Sequence, residues 1–292
     1  MHAMRASFFY TLTLSVMTLL AVNVSAAKST DAPFYMTINQ INLVLSVSKP
    51  AAAYEFYGEI LGLERISKPA DKITRYMSGA SEIHLIQAGP SSSKSKKPDA
   101  AAGIHLAAIF LPESERQKVT ERMASKGYEI PEYTEGEGYR AGLARDMDHN
   151  LIELVFIDDG APEEFYKLNQ IGLAVSSKDE TSAFLRDILG MQAGEVSSNP
   201  IVGQIHNFTL GTSTIKFFEV TGDTAPHVGT PTEITGLAIV QCRVSDIASA
   251  RSQIAERGGK IHTEPSAAND TATAMVVEGP DGILFEFVGP TP

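Results

Sequence analysis

Apolar residues alternate at Ile41, Leu43, Leu45 and Val47, so a segment from Ile38 to Val47 is expected to be a strand with one packed face. The spacing then changes. Tyr54, Tyr57, Ile60 and Leu61 fall on one side of a helix predicted from about Pro50 to Leu61, with proline in its first turn and Gly62 just past its end. T-R-Y-M and E-I-H-L-I-Q follow as strands. The same order returns from Leu168 to Val175 in L-N-Q-I-G-L-A-V, in a helix ending at Asp187 to Met191, and in H-N-F-T-L and T-I-K-F-F-E-V. Asn-Gln-Ile recurs 130 residues on and Ile-Leu-Gly 128 residues on, which indicates duplication with a two-residue slip.

Two further copies have a different signature. One is G-I-H-L-A-A-I-F, a helix from about Pro112 to Lys126 closed by Gly127, and R-D-M-D-H-N-L-I-E-L-V-F. The other is G-L-A-I-V-Q-C-R-V, a helix from Asp246 to Arg257 closed by Gly258, and E-G-P-D-G-I-L-F-E-F-V. Both end in an acidic turn followed by a strand with one glutamate in an apolar run. Polar links at Gly89 to Ala102, Asp158 to Glu164 and Gly222 to Glu233 separate the copies. Each unit, with one amphipathic helix and about four strands, is too small to cover a sheet face alone, so units are expected to pair.

The chain has 292 residues, 43% hydrophobic and 20% charged, enough for a sizeable core. Arg5, the apolar run from Phe8 to Val24 and the small residues Val24 to Ala27 read as a secretory leader over residues 1–26, which implies a periplasmic or secreted protein with no membrane attachment after cleavage. With Cys242 as its single cysteine, the chain forms no internal disulfide, and that residue reads as a buried strand position. A net charge of −11 opposes binding to nucleic acid. Lys94 to Lys97 read as a solvated basic loop. Glu135 to Tyr139 has the wrong charge for a phosphate cradle and lacks a lysine.

F-Y-x-x-x-L-G-L (Phe56, Tyr57, Leu61, Gly62, Leu63) followed by D-x-D-x-N-x-I-E-L (Asp146, Asp148, Asn150, Ile152, Glu153, Leu154) resembles the vicinal-oxygen-chelate (VOC) superfamily of glyoxalases, bleomycin-resistance proteins and dioxygenases. The resemblance implies an α+β fold of four βαβββ modules in two tandem pairs. The first VOC domain would span 36–158 (modules 36–88 and 103–158) and the second 166–290 (modules 166–221 and 234–290). Paired modules would curve around a cup, with metal ligands on the first and last strands of each module.

Mapped onto the first pair, those positions fall on His84 and Glu153 in last strands, and on His105 and either Asn42 or Gln40 in first strands. Two imidazoles and a carboxylate suit Fe, Mn, Ni or Zn. In the second pair the positions are Gln170, Lys216, Ile239 and Glu286, a set that opposes a divalent ion because the ammonium repels it. Whether modules pair within a half, or are exchanged so that His84 approaches Glu286, stays open at this level.

Two functions follow from the resemblance. One is a divalent-metal-dependent lyase/isomerase or dioxygenase acting on a small oxygen-chelating substrate, with His84, His105 and Glu153 as ligands and Glu153 as the catalytic carboxylate. The other is a metal-free small-molecule binding or sequestration protein of the bleomycin-resistance type. Dioxygenase chemistry lacks the tyrosine usual some ten residues before the metal glutamate, where Leu143 and Val276 stand. The partner is a small molecule in either case, for a monomer or homodimer.

Overall fold

The computed structural model describes residues 36–69, 71–93, 101–199, 202–221 and 226–291. The expected leader and the basic run at 94–97 lie outside the described residues. The first period-two segment forms β1 (Met36–Val47), and Pro50 opens α1 (Pro50–Tyr54). Where a regular helix is predicted, the chain widens into a π turn over Glu55–Ile60, with the Leu61 amide donating to the Phe56 carbonyl. That wider turn directs Phe56, Tyr57 and Ile60 inward together, and all three are fully buried. Over a single turn the two periods give nearly the same apolar stripe, so the sequence pattern does not separate them. α4 (Lys178–Ala183) widens in the same way over Phe184–Ile188. The π turn is thus a property of the duplicated segment.

The first module continues with β2 (Thr74–Ser78) and β3 (Ser81–Gln87), and in place of a fourth strand it has an isolated bridge between Arg65 and Tyr76. The second contains β4 (Gly103–Pro112), α2 (Glu113–Ser125), β5 (Thr134–Gly136), β6 (Tyr139–Arg145) and β7 (Leu151–Ile157). After a short α3 (Glu163–Tyr166), the third contains β8 (Asn169–Val175), α4, β9 (Gln192–Ala193), β10 (Ser197–Asn199), β11 (Gly203–Leu210) and β12 (Ser213–Glu219). The fourth contains β13 (Gly236–Val244), α5 (Ile247–Glu256), β14 (Lys260–Asn269), β15 (Ala272–Glu278) and β16 (Leu284–Pro290).

Sheet topology answers the question of pairing. One sheet runs β14-β15-β16-β13-β1-β3-β2 and joins the fourth module to the first; the other runs β10-β11-β12-β8-β4-β7-β6-β5 and joins the third to the second. The first strand of each module presents an unpaired edge, and these edges are covered across the halves by antiparallel pairing of β1 with β13 and β4 with β8. The modules are therefore exchanged between the tandem halves.

The helix-facing sides of both sheets share one core. It takes Ile41, Leu43 and Leu45 from β1, Ile152, Leu154 and Phe156 from β7, and Val240 and Cys242 from β13. Cys242 is buried there, as expected, and burial pushes its thiol up to about 12. The opposite face of each sheet has its own small apolar cluster, one around Phe110 and Val155 and one around Val44 and Ile239.

The two motifs that carry the resemblance meet at a buried joint. The Tyr57 hydroxyl donates to Asp146 at 3.0 Å, and the same carboxylate accepts from the Asn150 side chain at 2.8 Å and from the amides of Asp148 and Asn150 at 2.9 Å each. His149 completes this turn in the left-handed region at φ 66° and is exposed. Asp148 accepts from the Ser48 amide and hydroxyl, tying the second module to the first. Asp281 binds Ser176 in the same way in the other half.

Candidate functional site

Alternation along the strands places a polar row on the second sheet's free face. On β7, Ile152 and Leu154 face the helices while Val155 and Ile157 face away, so Glu153 faces away as well. The same reasoning puts Gln170 of β8, Lys216 of β12 and Asn207 of β11 on that face, because Ile171, Ile215, Phe217 and Phe208 belong to the common core. Ala108 of β4 is level with both Glu153 and Gln170. Lys216 is opposite Asn207.

Lys216 Nζ lies 2.6 Å from Glu153 Oε2, with the two side chains 7% and 1% exposed. β8 and β4 lie between their strands. At about 4.8 Å per strand a flat sheet would hold the two backbones roughly 14 Å apart, so the sheet must curve for the pair to close. The ion pair spans the resulting cup. Beneath it, Gln170 is 1% exposed and neither terminal atom of its amide has a hydrogen-bond partner among the described residues. Glu153 Oε1 and Asn207 Oδ1 are likewise buried without partners. The same face carries an apolar cluster of Ala108, Phe110, Val155, Ile157 and Tyr139, against which Ala161, Phe165, Tyr166 and Leu168 pack. The Tyr139 phenol is pushed up to about 12 by burial and by the nearby Glu153 charge.

The first sheet carries a corresponding row whose side chains bind one another. Asn42 donates to Gln241 at 3.0 Å, Gln241 donates to Glu286 at 2.7 Å, and Asn42 Oδ1 accepts the Glu82 amide at 2.9 Å. Asn42, and not Gln40, therefore occupies the first-strand position. His84 Nε2 is 2.8 Å from Glu82 Oε2, and Arg75 and Arg243 approach the same carboxylate at 3.5 and 3.8 Å.

The hydrogen bond from His84 holds the Glu82 carboxyl below its ordinary value; burial opposes this, and the His84, Arg75 and Arg243 charges add to it. A depressed acid stabilises the fold above its unfolded value of 4.5 and loses that contribution as pH falls through the lower folded value. Glu82→Gln should accordingly lower urea stability at about pH 6, and the gap from the natural protein should narrow by about pH 3. A gap independent of pH would count against the charge-based account.

The three residues expected to share a metal are not brought together. His84 lies in the first sheet, whereas His105 and Glu153 lie in the second. His105 also falls at the register shift between Ile104 and Leu106, where β4 pairs with β8. Strand alternation fails at such a bulge, and the imidazole turns to the Ala101 carbonyl at 2.9 Å. The β4 residue level with Glu153 is Ala108, which has no ligand atom. Ile239 is corrected too, because Gln241 is the β13 residue level with Glu286. Leu143 and Val276 stand directly opposite Glu153 and Glu286, so neither glutamate has a phenol there.

Among the described residues no group of three histidine, cysteine, aspartate or glutamate side chains is placed to hold a metal ion. In the second cup a lysine ammonium already neutralises Glu153. In the first, carboxamides occupy both first-strand positions. These donor sets do not fit a tightly held divalent transition metal. Sequence reasoning missed Glu82, Asn207 and Gln241. Glu82 and Gln241 share an alternation face with the residues it named, but Asn207 becomes a neighbour only through sheet pairing.

Similar architecture occurs in solved structures. Glyoxalase I from Zea mays superposes with a TM-score of 0.62 at 19% identity, covering 86% of this chain and 92% of that one. A dioxygenase-like protein of Bacillus subtilis gives 0.61 at 15% identity, with 89% and 87% covered. The cppA protein of Streptococcus pneumoniae gives 0.52 at 13% identity, with 86% and 98% covered. At these identities the likeness is one of fold. No curated protein matches the chain. The family model for the Glyoxalase/Bleomycin resistance protein/Dioxygenase superfamily matches twice in tandem, at residues 37–154 and 167–287, and the chain belongs to that superfamily.

Proposed function

We propose that this protein binds a small molecule in the second cup without a metal ion, as a sequestration protein and not as a divalent-metal-dependent lyase/isomerase or dioxygenase. The observation that carries this reading is the buried contact of 2.6 Å between Lys216 and Glu153, through which the chain supplies its own cation to the carboxylate. Both cups draw their paired first strands from the same chain, so a monomer suffices to form them. The Arg5 and Phe8 to Val24 leader pattern supports action outside the cytoplasm, in the periplasm or beyond.

Metal analysis of the purified protein after exposure to Fe(II), Mn, Ni and Zn should give far less than one equivalent of each. One retained equivalent that disappears in His84→Ala or Glu153→Gln would overturn the metal-free reading and restore the enzymatic one.

A further inference from the structure

The second cup contains more unsatisfied hydrogen-bonding capacity than a sealed interior tolerates. Gln170 lacks a partner for both Nε2 and Oε1, while Glu153 Oε1 and Asn207 Oδ1 are acceptors without donors. Each such buried group destabilises the fold when left unpaired. In the first cup, Asn42 and Gln241 are hydrogen-bonded within their row, and among the described residues Gln170 is the one carboxamide with both terminal atoms buried and unpartnered.

We infer that the second cup takes an uncharged ligand bearing an amide-type edge, with N–H donor beside carbonyl acceptor, attached to an apolar body. This rests on the metal-free binding proposed above. Gln170 offers a donor and an acceptor from one planar group, and a carboxamide or lactam edge satisfies both at once. Additional N–H groups would meet Glu153 Oε1 or Asn207 Oδ1. The charges of Lys216 and Glu153 already neutralise each other, so a ligand with net charge would enter without a counter-ion in the cup. Ala108, level with both Glu153 and Gln170, would meet the apolar body.

The test uses benzamide as probe, with benzoate and benzylamine as charged analogues and toluene as the apolar analogue, titrated into the intact protein in the absence of added metal. Benzamide should bind at least tenfold more tightly than each of the other three. Gln170→Leu should weaken benzamide at least tenfold while keeping or raising the thermal midpoint, because it removes two unsatisfied atoms. Asn207→Leu serves as a second variant if Gln170→Leu does not fold, and it should also weaken the probe. Benzoate or benzylamine binding as well as benzamide, toluene matching it, benzamide binding unchanged by the variants, or no binding by any probe would each overturn the amide-edge inference while leaving metal-free binding in place. Benzamide binding that appears only after metal addition would instead overturn the underlying reading.

Discussion

Lys216→Met is expected to destabilise the protein by about 3–5 kcal/mol, because it leaves the Glu153 carboxylate buried without its counter-ion. Glu153→Leu should cost a similar amount by stranding the ammonium. The contact is 2.6 Å with both side chains buried, so little solvent is available to screen the remaining charge. The double variant Lys216→Met/Glu153→Leu removes both charges and should recover most of the loss, ending within about 1–2 kcal/mol of the natural protein. Urea unfolding of all four proteins at neutral pH measures the cycle. Additive single losses would show that the two groups are not coupled and would remove the basis for treating the cup as internally neutralised.

Asp146→Ala should be the other severe lesion, with a loss of about 3 kcal/mol or more. The carboxylate accepts the buried Tyr57 hydroxyl, the Asn150 side chain and two turn amides, and alanine abandons all of them. Tyr57→Phe removes one of these bonds and should cost about 1.5–3 kcal/mol. Burial, and then the Asp146 charge, pushes the Tyr57 phenol well above its ordinary value, so it remains a donor across the accessible pH range. The duplicated half provides an internal comparison. Leu185 stands where the first half has Tyr57, and Gly279 stands where it has Asp146, so donor and acceptor are absent together. The Ser48–Asp148 tie, by contrast, recurs as Ser176–Asp281. Equal stability of Asp146→Ala and the natural protein in urea would show that the joint contributes nothing.

These motif residues explain why the family resemblance is informative about fold and says little about reaction. Phe56, Tyr57, Asp146 and Asn150 fix a π turn to an acidic turn through buried bonds, and the free faces of the sheets lie elsewhere. Glu153 does face a cup, yet its partner is the lysine 63 residues further along and not the histidines that the family resemblance implied. His84 and Glu286 do share the first sheet, as exchange of modules required, but they belong to a chain of amide and carboxylate hydrogen bonds.

By itself, the sequence determined the four repeated units, the inward and outward faces of most strands, the helix boundaries to within a few residues and the burial of Cys242. These depend on local periodicity, capping and composition, which act over a few residues and are written directly in the chain. Tertiary structure decided which modules share a sheet, the bulge that turns His105 aside, and the register that sets Glu153 across from Lys216 and Gln241 beside Glu286. Pairing of sheet edges joins residues far apart in sequence. A shift of one residue in register reverses which side chains face a cup, and the hydrophobic pattern of one strand does not specify its partner.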